Sequence, residues 1–129
     1  MRVVALGMAL VAGGAAVAFA GPAQAATLTE VTGFGTNPGN LKMWEYVPTG
    51  LAANRPLVVL LHGCSATAAQ IDNETGWTKW ADQFQFALLL PEQKPANNGF
   101  RCFNVSVPGD QERGQGEPLS VKQMTDWEI

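Results

Sequence analysis

The sequence predicts an α/β protein built on a mixed, mainly parallel sheet with flanking helices. Two unbroken apolar runs carry the prediction, Pro56-Leu57-Val58-Val59-Leu60-Leu61 and Phe86-Ala87-Leu88-Leu89-Leu90. Both suit strands covered on two faces, where a half-exposed strand would alternate. Between them, residues 65–85 change to helical spacing. A strand, a helical segment and a strand in succession give a right-handed crossover with the two strands parallel.

The first residues stand apart from that pattern. Arg2, an uncharged Ala/Val/Gly-rich stretch from Val3 to Ala20, and the small-x-small triplet Ala23-Gln24-Ala25 have the layout of an export signal. The expected cut follows Ala25, so residues 26–129 form the mature chain. The rival reading is a transmembrane anchor, which the Ala/Gly-rich composition disfavours. Losing Arg2 leaves 7 basic against 11 acidic residues, a net charge of −4. With no run of Lys or Arg, nothing attracts nucleic acid.

Residues 27–36 alternate weakly around Gly33 and Gly35, as an edge strand or extended arm does. Asn37-Pro38-Gly39-Asn40 is a turn cluster. Residues 41–47 follow as a strand, with Leu41, Met43 and Val47 on one face and Trp44 and Tyr46 on the other. Pro48 and Gly50 end it, and a short connection suggests that this strand and the 56–61 strand are antiparallel neighbours. In the helical segment the apolar positions are Ala69, Ile71, Trp77, Trp80, Ala81 and Phe84, with Gly76 dividing two short helices. Trp77 and Trp80 are expected in the core. Pro91 should stop the second apolar strand.

Residues 91–118 hold four prolines and four glycines with no period. Long loops of this kind are often functional, and this one is expected to wall a cleft rather than wander over the surface. Ser120-Val121-Lys122-Gln123 has capping-box spacing, so a helix is expected to begin there, with Val121, Met124 and Trp127 on one side.

Cys64 and Cys102 are the two cysteines. In an oxidising compartment an even count predicts a disulfide, and closing a loop of nearly forty residues contributes about 4 kcal/mol in the chain-entropy model. A Cys64 thiol served by His62 is the competing idea. One His and two distant Cys do not make a structural zinc site.

Read together, Asn37-Pro38-Gly39-Asn40-Leu41-Lys42-Met43, Pro56 to Cys64, Thr75-Gly76-Trp77, Pro91-Glu92-Gln93, Cys102-Phe103-Asn104 and Gly114-Gln115-Gly116-Glu117-Pro118-Leu119-Ser120 resemble the N-terminal half of the secreted polyhydroxybutyrate depolymerase family of esterases. That family is similar to acetylxylan and feruloyl esterases. The resemblance covers nearly all of residues 37–126 and implies an extracellular α/β-hydrolase fold. It implies Ser-His-Asp acyl transfer, without a cofactor, on hydroxyacid polyesters or acylated polysaccharide. By position, Cys64 would give its backbone N–H to the oxyanion hole while its sulfur bonds Cys102. His62 and Gly63 would be structural residues of the turn. His62 cannot be the catalytic His, because in this fold that residue follows the nucleophile and the acid. Val105-Ser106-Val107 stands where the family tends to carry an aromatic cleft contact.

The nucleophile is missing from this pattern. Ser65, Ser106 and Ser120 are the only serines, and none sits in a Gly-x-Ser-x-Gly elbow. The expectation is therefore an N-terminal, truncated part of an α/β-hydrolase fold, a fragment with no catalytic triad and inactive alone. Two alternatives remain. One is a secreted, disulfide-closed module that binds a polymer or glycan without catalysis; the other is an enzyme with a nonstandard nucleophile.

Overall fold

A computed structural model describes residues 27–129. The export signal and its cut after Ala25 lie outside the described residues, among which no helix is long and apolar enough to cross a membrane. Four strands form one sheet: β1 (Thr29–Val31), β2 (Lys42–Tyr46), β3 (Leu57–Val59) and β4 (Ala87–Glu92), in the order β1-β2-β4-β3. β1 and β2, and β2 and β4, pair antiparallel, while β3 and β4 are parallel. This is the expected mixed sheet with its parallel crossover unit.

The expected pairing of the 41–47 and 56–61 strands is wrong, because β4 lies between them. β4 is the longest strand and is buried on both faces, with Leu88, Leu89 and Leu90 wholly inaccessible. It therefore takes the centre. β3, expected to be doubly covered, forms one edge of the sheet among the described residues and leaves Val59 38% exposed, with Leu61 just beyond it 51% exposed.

Nor does Pro91 stop β4, since it pairs with Met43 and is itself buried. The Ala87 N–H bonds Pro56 O, and Leu89 O accepts from Leu60 N–H. Odd-numbered residues of β4 thus aim their backbone groups at β3. Pro91 is the next of these, but β3 has already ended, so its missing N–H costs no ladder bond.

The side-chain alternation of β2 holds as expected, although Val47 is 42% exposed. Tyr46, Leu88 and Leu90 pack with Ala68, Ala81 and Phe86 under α1 (Ala68–Thr75) and α2 (Trp77–Phe84). Leu41, Met43 and Leu89 pack with Met124 of α3 (Gly116–Glu128) on the opposite face. Helices thus cover both faces of the sheet, as an α/β layer architecture requires.

Gly76 divides the helical segment as expected. Its φ of 69° is the left-handed conformation that closes a helix, and its N–H bonds Asp72 O at 2.7 Å. The Asp72 carboxylate then accepts from Thr78 N–H at 2.9 Å, so one side chain joins the end of α1 to the start of α2. Trp77 meets Phe86 edge-on, with ring centroids 6.2 Å apart, inside the core. Trp80 does not share that role. It is 47% exposed and stacks on Phe84, itself 61% exposed. Of the expected apolar positions Ala69 also faces outward, and its neighbour Ala68 takes the buried place.

The capping-box expectation is likewise corrected: α3 starts four residues earlier, at Gly116. Pro118 falls in its first turn, where no N–H is needed. Ser120 and Gln123 are not caps but tertiary anchors. Ser120 Oγ accepts from Gly39 N–H at 2.8 Å, and Gln123 Oε1 accepts from Asn37 N–H, also at 2.8 Å.

Candidate functional site

The β3–α1 turn, His62-Gly63-Cys64-Ser65, follows the edge strand and is tied on three sides. His62 is 4% exposed. Its Nε2 accepts from the Gln93 N–H at 3.0 Å, which makes Nδ1 the protonated nitrogen, and Nδ1–H donates to Gly63 O at 2.6 Å. The ring rests on Phe103 with centroids 5.0 Å apart. Both nitrogens are committed, so His62 is not a free base for Cys64 or Ser65. It braces the turn.

The second tie is the disulfide between Cys64 and Cys102. It removes the Cys64 thiol as a nucleophile and carries the 91–118 loop to the turn. In the third, Ser65 sits at φ 63° and its N–H donates to Phe100 O at 2.6 Å. The Ala66 N–H closes back on Gly63 O at 3.3 Å, whereas no described residue accepts from the Cys64 N–H. A Cβ built on Gly63 would meet nothing within 4 Å. The turn therefore carries, among the described residues, a backbone donor without a protein acceptor, next to a glycine whose Cβ position is open.

Behind the turn lies a buried polar cluster for which the sequence reading had no role. Gln93 is 1% and Glu117 5% exposed. The Gln93 amide donates to Glu117 Oε1 and to Cys102 O, the latter at 3.2 Å. Glu117 Oε2 accepts from Asn104 N–H at 2.8 Å. Asp110 Oδ1 accepts from Glu117 N–H at 3.0 Å, satisfying one of the first amides of α3. Burial pushes the Glu117 carboxyl above its usual range, against the two donors that favour its charged form. Glu92 turns the other way, and its Oε2 accepts from Ala68 N–H at 2.8 Å at the N-terminus of α1. The signal was present in Pro91-Glu92-Gln93 and in Glu117-Pro118, but only the folded chain brings these segments together.

Between the loop and α3 is an apolar hollow of about 410 Å³, lined by Leu61, Phe103, Val105, Glu117, Pro118 and Val121 among others. The loop thus walls a depression beside the turn. Val105, 78% exposed, stands on its lip where the resemblance led one to expect an aromatic nearby.

A mixed sheet covered on both faces, with a His-Gly turn between a parallel strand and the first helix, defines the class as an α/β-hydrolase fold. Residues 41–126 match the family described as Esterase PHB depolymerase, and the chain belongs to that family. It is 52% identical over 99 residues to the poly(3-hydroxyalkanoate) depolymerase C of Paucimonas lemoignei, covering 77% of this chain and 24% of that protein. It is 35% identical over 105 residues to a feruloyl esterase B of Neurospora crassa, covering 81% of this chain and 35% of that protein. Among solved structures, an acetyl xylan esterase from Aspergillus awamori superposes with a TM-score of 0.72 at 31% identity, over 80% of this chain and 37% of that one. The chain thus spans about a quarter to a third of the length of the relatives it matches.

Proposed function

We propose that this chain is the oxyanion-turn part of a secreted serine esterase that cleaves hydroxyacid polyesters or acyl esters on polysaccharide. The observation that carries the reading is the Cys64 N–H, for which no described residue is the acceptor, in a turn braced by the disulfide and His62. In acyl transfer the scissile carbonyl oxygen becomes an anion in the tetrahedral intermediate. A backbone donor already fixed in place stabilises that charge without reorganising. Cys64 N–H is assigned as one donor, and the residue after the nucleophile supplies the other. His62 and Gly63 shape the turn.

The nucleophile, acid and catalytic His are not assigned to any residue of these 129. The exposed β3 edge supports that view. Among the described residues no strand pairs with its outer side, and the apolar Val59 on it and Leu61 just beyond it suit a further parallel strand; a binding module complete in itself would leave aggregation-prone surface there. Export with cleavage after Ala25 belongs to the same reading and places the enzyme outside the cell, where its disulfide is stable.

The test is to read the gene past the Ile129 codon in all three frames for Gly-x-Ser-x-Gly, then Asp and His, and to express both lengths. The longer protein should clear polyhydroxybutyrate suspensions or release acetate or ferulate from xylan, and lose that activity when the elbow Ser becomes Ala. The 129-residue chain should hydrolyse none of these. Hydrolysis by the short chain, or no elbow in any frame, would sink the proposal.

A further inference from the structure

Gln93 and Glu117 belong to two motifs that the esterase reading leaves without work, and the fold joins them inside the protein, directly behind the oxyanion turn. Two connections run from this pair to Cys64. The Gln93 backbone N–H fixes the neutral His62 ring, and that ring holds Gly63 O. On the other side the Gln93 amide holds Cys102 O and Glu117 holds Asn104 N–H, so both peptide groups flanking Phe103 are gripped. From Cys102 the disulfide leads back to Cys64.

We propose that Gln93 and Glu117 are positioning residues that set the aim of the Cys64 N–H by clamping the Cys102–Asn104 segment across the disulfide from it. This inference rests on the reading of the turn as an oxyanion donor. Both side chains are buried. Each acts through atoms that are buried and satisfied, which makes the geometry stiff. Glu117 supplies two acceptor oxygens to two separate donors, and no neutral side chain of its size does the same: a Gln there has one carbonyl oxygen and leaves either the Gln93 amide or the Asn104 N–H facing another donor. An unpaired buried donor is unstable enough to move the segment.

Because an oxyanion donor acts on the transition state, a loosened turn should lower kcat and leave KM alone. The experiment compares Glu117→Gln and Gln93→Met with wild type in the full-length esterase, on a soluble acetyl ester. Active sites are counted by titration with a phosphonate ester so that unfolded molecules do not enter the rate. The expected result is a fall in kcat per titrated site of roughly 10- to 100-fold, with KM within twofold.

Gln93→Met removes the amide donors, together with the Oε1 that accepts from Lys94 N–H and Asn97, while leaving the bonds of Glu117 to Asn104 and Asp110 in place, and serves if Glu117→Gln does not accumulate. If kcat per site stays within twofold of wild type in either variant while melting falls, the pair is only structural and the proposal is overturned. Wild-type protein that hydrolyses no ester would overturn the esterase reading and this one with it. Active wild type with unaffected variants would overturn the clamp alone.

Discussion

The hydroxyl of Ser120 accepts a hydrogen bond from Gly39 N–H at 2.8 Å, joining α3 to the turn before β2 across 81 residues of sequence. Ser120 is fully buried and also donates to Gly116 O at 3.2 Å. The contact is close enough that a Cβ on Gly39 would sit 2.6 Å from Glu117 Cα and 2.8 Å from Glu117 N, both backbone atoms.

Two substitutions test that junction. Ser120→Ala strands a buried donor and should cost about 1–3 kcal/mol. Gly39→Ala forces backbone against backbone, and overpacking of this kind costs about 1–3 kcal/mol or more. Urea unfolding followed by tryptophan fluorescence reads both. A midpoint unchanged in either variant would mean that α3 does not dock through this turn.

The disulfide is expected to matter more to the loop than to the sheet. Cys102→Ser with Cys64→Ser should lower stability by about 2–4 kcal/mol, because the crosslink spans 38 residues. Hydrogen exchange should rise first at Ser65 N–H, whose acceptor is Phe100 O on the loop, and stay slow in β4. Uniform acceleration across both would show that the loop and sheet open as one unit.

Much of this architecture was legible beforehand because it is local. Unbroken apolar runs marked β3 and β4, alternation assigned the two faces of β2, and Gly76 divided the helices. The errors have long-range causes. Nothing local says that β4, and not β3, pairs with β2; that follows from which strand buries both faces. Ser120 and Gln123 imitate a cap because the same hydrogen-bonding groups serve a tertiary junction. Gly116 and Pro118 read as loop residues, although Pro118 is acceptable in a first turn. In the site, the His62-Gly63-Cys64 turn was visible as a motif. The Gln93–Glu117 pair was not, since its meaning depends on a contact between segments 24 residues apart.

The end of α3 carries a pH dependence whose sign follows from its surroundings. Burial, then hydrogen bonding and charge repulsion from Glu45 on β2, push the Glu128 carboxyl up to about 8. Its folded value lies above the unfolded one near 4.5, so the proton is held more tightly in the native state. The stabilisation is complete below pH 4.5 and is lost as pH rises towards 8. Glu117, also raised by burial, adds in the same direction. Glu128→Gln should therefore leave stability little changed at pH 4.5 and raise it at pH 9, on the order of 1 kcal/mol or about 4–8 °C in Tm for a domain of this size. Parallel Tm-against-pH curves for variant and wild type would rule out the Glu45–Glu128 pair as the cause.

On the proposed reading, Gly63 separates folding from chemistry. Its backbone is not in the left-handed region, and an added Cβ would meet nothing within 4 Å of the described chain. Gly63→Ala should therefore leave Tm within about 1 °C, as exposed substitutions away from special features do. The new methyl would nevertheless stand in the open space next to the Cys64 N–H, where the proposed reaction brings the acyl carbonyl. On the proposed esterase reading, kcat/KM of the longer protein for a soluble acetyl ester should drop roughly 10-fold or more, because a displacement of about 1 Å at the reacting group is enough for losses of that order. If Tm and kcat/KM both stay at wild-type values, substrate does not approach over this turn. Loss of both together would mean that Gly63 is a folding residue, with the open space beside it playing no part in catalysis.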